Sequence, residues 1–188
     1  SKRQLFCVRD PLGIKPLYYY MDGRTFRWGS ELHQILEDHT IRRQPNEGMI
    51  AEHLANAITN LEETLYQGIL RLPRAHFLVT QAGGARKQRY WCVDPSHEIR
   101  YRTDQEYSEH FYDIFREAVR CRLRSHKPVG AELSGGLDSS SVVCVAQRLY
   151  RDRALPDLGF ETFSCVLPDL PWDESPYIQE VVRAWNLR

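Results

Sequence analysis

The sequence has no apolar run long enough to cross a bilayer. Its longest runs, such as Val142 to Ala146, fall far short of the roughly 20 residues a spanning helix needs. Residues 1–20 lack a charged start followed by a long apolar stretch, so no signal peptide is visible. Net charge is missing too: 25 Lys and Arg balance 25 Asp and Glu, and no basic tract stands out. Neither a global nor a local electrostatic case for nucleic acid follows. Cysteine is sparse. Cys7, Cys92, Cys121, Cys144 and Cys165 are scattered, no pair sits at metal-ligand spacing, and an odd count argues against a disulfide framework. They read as reduced thiols of a cytoplasmic protein. The seven histidines form no constellation with Cys or Asp. There is no internal repeat and no low-complexity tract. An initial methionine is absent as well. Ser1 leads almost at once into Leu5-Phe6-Cys7-Val8, and Arg188 directly follows an amphipathic stretch, so a segment of a longer protein is expected.

What is present suffices for a packed core, since 42% of the 188 residues are hydrophobic. Residues 4–8 and 17–20 read as strands separated by the turn-forming Asp10-Pro11-Leu12-Gly13. Met21-Asp22-Gly23-Arg24 is a hairpin turn leading to a strand over Thr25 to Trp28. Ser30 is placed to cap a helix from Glu31 to Glu37. Ile50, Leu54, Ala57, Ile58 and Leu61 recur at helical spacing and predict a helix from Gly48 to Leu61. Ile69 to Leu72 is a brief extended piece. A second hairpin runs from His76 to Thr80, turns at Ala82-Gly83-Gly84, and returns through Arg89-Tyr90-Trp91. The polar stretch from Asp94-Pro95-Ser96 to Thr103 is the expected domain boundary. Thr103 or Asp104 can cap a long helix reaching Leu123, with a stripe of Tyr107, Phe111, Ile114, Phe115, Ala118, Val119 and Leu123. Val129 to Leu133 reads as a short buried strand, Ser139 to Tyr150 as a helix, Phe160 to Leu167 as a strand and Glu174 to Trp185 as a helix. Strands alternating with helices argue for a parallel, doubly wound sheet.

The run Leu133-Ser134-Gly135-Gly136-Leu137-Asp138-Ser139-Ser140 joins a strand to a helix start. Such a turn points several backbone N–H groups at one spot, and the helix dipole adds partial positive charge there. Gly135 and Gly136 let an anion approach the backbone. Ser134, Ser139 and Ser140 add hydroxyl donors. A carboxylate at Asp138 would repel phosphates unless it held a bridging metal, and Mg²⁺ is the cation usually shared with substrate phosphates. The Gly-Lys-Ser/Thr ending of kinase-type loops is absent, as is a dinucleotide glycine fingerprint. The loop therefore reads as a site for magnesium pyrophosphate, or for the β and γ phosphates of ATP.

Leu133 to Ser140 resembles the signature of the ATP-pyrophosphatase superfamily, whose members adenylate a substrate oxygen and release pyrophosphate. Further segments narrow the resemblance. Arg9-Asp10-Pro11-Leu12-Gly13-Ile14-Lys15-Pro16-Leu17-Tyr18-Tyr19 resembles a segment of class II glutamine amidotransferase domains, and Gly29-Ser30-Glu31-Leu32 resembles their following helix start. Thr64-Leu65-Tyr66-Gln67-Gly68-Ile69-Leu70-Arg71-Leu72-Pro73 and Tyr90-Trp91 resemble the last glutaminase strands of glutamine-hydrolysing asparagine synthetases. Thr162-Phe163-Ser164, Asp173-Glu174-Ser175 and Tyr177 resemble the next strand and helix of their synthetase domain. One departure is Arg74-Ala75, where that family often has Pro-Gly after the Leu-Pro step.

The resemblance implies a particular organisation. Residues 1–95 would be the C-terminal part of a class II glutaminase domain, an α+β fold of the N-terminal-nucleophile hydrolase type. Residues 96–103 would be a linker. Residues 104–188 would be the N-terminal part of an α/β parallel-sheet adenine-nucleotide-binding synthetase domain. The implied activity is asparagine synthesis from aspartate, glutamine and ATP, through a β-aspartyl-AMP intermediate with release of AMP and pyrophosphate. Related macrolactam and β-lactam synthetases, and a non-catalytic nucleotide-binding relic, are the alternatives. ATP and Mg²⁺ are the implied cofactors, with no nucleic acid or membrane as partner. A homodimer of the full-length protein is compatible with the resemblance. The implied ATP and pyrophosphate ligands are Leu133, Ser134, Gly135, Gly136, Asp138, Ser139, Ser140 and Cys165, with Asp138 also holding Mg²⁺. The family's N-terminal catalytic cysteine has no counterpart among the 188 residues, so this chain alone is expected to lack glutaminase and complete synthetase activity. Simpler readings exist elsewhere. Arg9 and Asp10 would hold a turn, Ser30 and Glu31 would cap a helix, and Asp173 and Glu174 would be an acidic pair at a helix start. The basic cluster Arg120, Arg122, Arg124, His126 and Lys127 would be a solvated helix end or would face ATP.

Overall fold

The computed structural model describes residues 4–81, 84–156 and 158–187. The expected turn residues Ala82 and Gly83 lie outside them, as do Ser1 and Arg188. The chain divides after Glu98 into two compact units.

The first unit runs β1 (Gln4–Val8), β2 (Tyr18–Met21), β3 (Phe26–Gly29), α1 (Leu32–Leu36), α2 (Glu47–Leu54), β4 (Ile69–Arg71), β5 (His76–Gln81) and β6 (Gly84–Arg89). Two three-stranded antiparallel sheets form, in the orders β1-β5-β6 and β3-β2-β4. Side chains alternate across β2, as the pleat requires. Tyr19 packs inward with Cys7, Leu72 and Leu78, so one core cluster draws on both sheets. Tyr18 and Tyr20 face the other way, against the cluster of Ile35, Leu36, Ile41 and Ile69.

The turn between β1 and β2 is organised by the Arg9-Asp10 pair acting on backbone. Arg9 donates to the carbonyls of Lys15 at 3.0 Å, Leu72 at 2.8 Å and Gly13 at 2.9 Å. The Asp10 carboxylate accepts from the N–H groups of Ile14 and Lys15, and these bonds hold its pKa below the ordinary carboxylate value. Gly13 has φ +73°, and a Cβ there would lie 3.0 Å from Arg74 Cβ. Ala75, at the departure from the Pro-Gly pattern, adopts φ +58°, the left-handed region where glycine is favoured. Its N–H is tied to the Asp10 carbonyl at 3.0 Å.

Two expectations in this unit are corrected. The helix expected over 48–61 ends at Leu54. Asn56 turns left-handed at φ 51°, and the Glu52 carboxylate accepts from the N–H groups of Thr59 and Asn60. Those bonds satisfy backbone that a continued helix would have paired internally, and Leu54, Ile58 and Leu61 stay exposed. The cap of α1 is Glu31 and not Ser30, because Gln34 Oε1 reaches back to both the Ser30 and Glu31 N–H groups.

The second unit runs α3 (Asp104–Arg122), β7 (Val129–Glu132), α4 (Leu137–Arg151), β8 (Phe160–Phe163) and α5 (Ser175–Trp185). The sheet is parallel but has two strands among the described residues, in register Val129↔Phe160 to Glu132↔Phe163. A full doubly wound sheet is therefore not present in it. With a single neighbouring strand, β7 alternates between exposed and half-buried residues, where a fully buried strand was expected. Helix α4 is the central element. Its Val145, Ala146 and Leu149 pack with Val119 of α3, and its Val143 packs with Leu133 and with Ile178 of α5. The α3 stripe splits accordingly: Phe115, Val119 and Leu123 join this core, while Tyr107, Phe111 and Ile114 remain exposed.

Candidate functional site

The site of interest lies at the C-terminal ends of β7 and β8, where α4 begins. Strands of a parallel pair end together, so the loops that follow them converge at one edge. Leu133 extends β7 by one residue. It is fully buried, its N–H donates to the Phe163 carbonyl at 2.9 Å, and its carbonyl accepts from Ser164 Oγ at 2.7 Å. The chain then reverses through Ser134 and Gly135. Gly135 has φ +89° and lies so close to the next loop that a Cβ would sit 2.9 Å from Glu174 Cβ and Glu174 O. Gly136 is the N-cap of α4 in an extended conformation, and no side chain caps the helix. The first-turn N–H groups of a helix have no internal partners, so this end favours anions.

Two hydroxyls organise the loop. Ser139 Oγ accepts from the Ser134 N–H at 3.2 Å and lies 3.0 Å from Ser134 Oγ. Ser139 also donates to the Gly136 carbonyl, and the Gly136 N–H reaches Ser134 Oγ at 3.4 Å. Ser140 is half-buried in the first turn, its N–H bonded to the Gly136 carbonyl at 3.1 Å. Asp138 is exposed in that turn, with no ion pair or hydrogen bond to its carboxylate among the described residues. Helix α4 starts at Leu137, two residues before the expected Ser139, so Asp138 is itself part of the helix.

Beside this loop is an open cavity of about 490 Å³. Leu133, Ser134 and Cys165 line it, together with Glu132, Phe163, Ser164, Leu167, Trp172, Asp173 and Glu174. The structure thus brings Ser134, Leu133 and Cys165 to one cavity, with Gly135, Gly136, Asp138, Ser139 and Ser140 following directly in the loop. The basic cluster does not join them. Arg120, Arg124 and Lys127 line a different cavity with Leu155 and Pro156, and Arg120 is paired with Glu117. That pairing, with a bond from Cys121, pulls the Glu117 pKa down to about 2.

Sequence reasoning named Cys165, Asp173 and Glu174 but not the loop that joins them into the far wall of the cavity. The strand expected to reach Leu167 stops at Phe163, and residues 164–174 loop over the edge. Within that loop Asp173 accepts from Ser175 Oγ at 2.6 Å, from the Ser175 N–H at 3.3 Å and from the Leu167 N–H at 3.2 Å. The Ser175 hydroxyl does most to hold the Asp173 pKa below its ordinary value. The spacing Asp-x-Ser before an amphipathic stretch is the one sequence signal of this arrangement. The tie back to Leu167 has none.

Residues 1–91 match the model of the glutamine amidotransferase domain, and residues 110–188 match that of asparagine synthase. The chain is 37% identical over 187 residues to the protein named Putative asparagine synthetase (glutamine-hydrolyzing) 2 of Methanocaldococcus jannaschii, covering 97% of this chain and 35% of that protein. The chain belongs to the glutamine-hydrolysing asparagine synthetase family.

It is 28% identical to Asparagine synthetase (glutamine-hydrolyzing) 3 of Bacillus subtilis, across 99% of this chain and 31% of that protein. Amidase chry2 of Gibberella zeae is 27% identical across 86% of this chain and 24% of its own length. The chain therefore spans about a third or less of the curated relatives it matches. For this asparagine synthetase relative, the matched amidotransferase segment coincides with the two antiparallel sheets. The matched synthase segment contains most of α3, both parallel strands and the loop at Ser134 to Ser140. Among the described residues, no helix is long and apolar enough to cross a membrane, and no group of three or more His, Cys, Asp or Glu side chains could hold a metal ion.

Proposed function

We propose that this chain is part of an ATP- and glutamine-dependent amide ligase that makes asparagine from aspartate. The observation that carries this reading is the loop Ser134 to Ser140, placed at the start of α4 and beside a cavity at the parallel strand ends. Residues 1–95 belong in this reading to the C-terminal part of a glutaminase domain of the N-terminal-nucleophile hydrolase type. Residues 96–103 are the linker, and residues 104–188 begin the synthetase domain.

In the overall reaction, glutamine is hydrolysed to glutamate and ammonia. A β-carboxylate oxygen of aspartate attacks the α-phosphorus of ATP, and pyrophosphate leaves. Ammonia then attacks the acyl carbon of β-aspartyl-AMP, and AMP leaves. This chain's own residues serve the second of these steps. Helix α4 N–H groups and the hydroxyls of Ser134, Ser139 and Ser140 bind the leaving pyrophosphate and stabilise the charge that develops on it. Gly135 and Gly136 keep the backbone clear for its approach. Leu133 fixes the strand end from which the loop springs, and Cys165 borders the nucleotide across the cavity.

The donor set fits Mg²⁺. Asp138 is exposed and free of protein partners among the described residues, and Mg²⁺ bound mainly through phosphates and water needs only one or two protein carboxylates. A metal held there would neutralise charge on the pyrophosphate. A cytoplasmic location and a homodimer of the full-length protein complete the proposal.

ATP–pyrophosphate exchange with the full-length protein tests it. Exchange that depends on aspartate is expected. Exchange with a peptide acid or a β-amino acid in place of aspartate would move the assignment to a macrolactam or β-lactam synthetase. No exchange with any acid would leave a nucleotide-binding relic. Asp138→Asn is expected to lower exchange by about 100-fold, as for loss of a metal ligand or its immediate support. Unchanged exchange would remove Asp138 from the metal site.

A further inference from the structure

We infer that Asp173 is a positioning residue that sets the shape of the phosphate loop through the backbone of Glu174. The inference rests on the reading of Ser134 to Ser140 as a pyrophosphate site. Its basis is a chain of contacts across the edge of the parallel pair. Gly135 abuts Glu174 so closely that no Cβ fits between them, the nearest atoms being Glu174 Cβ and O at 2.9 Å. Where Glu174 sits therefore determines where Gly135 can sit. Glu174 is not fixed by its own side chain, which makes no cap bond to α5. Its carbonyl accepts from the Tyr177 and Ile178 N–H groups at 3.0 and 3.2 Å, so it moves with the first turn of α5, and its neighbour ties that turn back to the preceding loop. The Asp173 carboxylate grips Ser175 through two bonds at 2.6 and 3.3 Å, and grips Leu167 on the other limb of the loop at 3.2 Å. One turn into α5, Ile178 is buried against Leu133 and Val143, which locks the helix to the strand end and to α4.

The phosphate loop is thus braced from outside by the segment that follows β8. Its own polar contacts run between Ser134, Gly136, Ser139 and Ser140, and among the described residues none of them reaches Gly135. Removing the Asp173 carboxylate would leave the backbone bonds of Leu170 to Leu167 and of Asp173 to Leu170, but would cut the tie from Leu167 to the start of α5 and let its first turn, Glu174 included, shift against Gly135. A displacement of under an ångström would misdirect the N–H groups aimed at an anion, and small misplacements of a binding constellation carry large costs.

Binding of magnesium pyrophosphate to the 188-residue chain provides the test. Calorimetric titration of the parent, Asp173→Ala, Asp173→Asn and Ser175→Ala is paired with a melting curve for each. Asp173→Ala is expected to weaken binding by roughly tenfold or more, as for loss of a supporting residue. Asp173→Asn keeps an oxygen that accepts from Ser175, so it should stay within about threefold of the parent, because the brace is retained. Both titrations are made well below the melting temperature, where a residue that only stabilises the fold would leave affinity unchanged. Equal affinity for Asp173→Ala and the parent overturns the inference and leaves the loop assignment standing. A parent chain that binds no magnesium pyrophosphate overturns the loop assignment and the inference with it. Should Asp173→Ala fail to fold, Ser175→Ala decides, since it removes only the 2.6 Å bond. Weaker binding by Ser175→Ala supports the brace, and unchanged binding overturns it.

Discussion

Gly135 carries two separate demands for glycine. Its φ of +89° is a conformation that L side chains rarely adopt, and a Cβ would meet the backbone and side chain of Glu174 at 2.9 Å and Ile178 Cγ1 at 3.3 Å. The neighbours are backbone and a buried core residue, so they cannot simply swing away. Gly135→Ala should therefore destabilise the second unit by about 1–3 kcal/mol. It should also abolish measurable pyrophosphate binding, since relief requires α5 or the loop to move. Thermal melting together with calorimetric titration checks both parts. Gly136 makes a useful contrast. It has an ordinary negative φ of −67°, and a Cβ would find only Ser134 Oγ, at 3.5 Å. The fold itself does not demand glycine there, and in the proposed reading only the approach of an anion to the backbone would. Arg9 shows the opposite case: a residue from a resembling motif whose visible work is structural, two bonds to the carbonyls of Gly13 and Lys15 that close one turn and a third that ties it to Leu72.

At the scale of elements, the start of α3 is fixed by local chemistry. Thr103 Oγ1 accepts from the Glu106 N–H at 3.3 Å, and Glu106 Oε2 accepts in return from Thr103 N–H at 3.0 Å and Arg102 N–H at 2.8 Å. This reciprocal pair satisfies donors that the helix end leaves open. Thr103→Ala should cost about 1 kcal/mol, lowering the melting temperature of the second unit by about 4–8 °C. Such a pattern is readable in sequence because donor and acceptor lie three residues apart. The loop at Ser134 to Ser140 was readable for the same reason, with its strand, glycines, hydroxyls and helix start contiguous. The end of α2 was not. Apolar spacing carries on to Leu61, but the Glu52 side chain captures the N–H groups of Thr59 and Asn60 and the chain leaves the helix at Asn56. Periodicity cannot register a competing side-chain acceptor. The far wall of the cavity was equally hidden. Asp173 and Glu174 looked like an acidic pair suited to a helix dipole, yet the Asp173 carboxylate works across six residues to Leu167. The shape of residues 164–174 depends on that bond, and no local pattern announces it.

At the scale of the molecule, the chemistry is unevenly distributed between the two units. The second unit holds the uncapped start of α4, the proposed anion site, and the cavity beside it. The first holds two antiparallel sheets, and the thiols of the chain bear on whether it can act as a glutaminase. A glutaminase of the cysteine type needs an accessible thiol that ionises readily. Cys7 fails on both counts, because it is buried in the core with Tyr19 and Leu78 and burial pushes its pKa up. Cys121 is exposed, but its bond to Glu117 raises its pKa. Cys144 is half-buried in α4 and accepts from the Trp185 indole N–H at 3.2 Å. Cys92 and Cys165 are exposed, and among the described residues no thiol is hydrogen-bonded to a histidine that could act as base. The 188-residue chain should therefore release no glutamate from glutamine above background, in a coupled glutamate assay at neutral pH. The same preparation should still bind magnesium pyrophosphate. Glutamate release that survives Cys→Ser replacement at all five cysteines would point to a nucleophile other than a thiol. Release abolished by one of those replacements would identify a thiol whose environment differs from the one described. Binding without glutamine hydrolysis would separate the two activities.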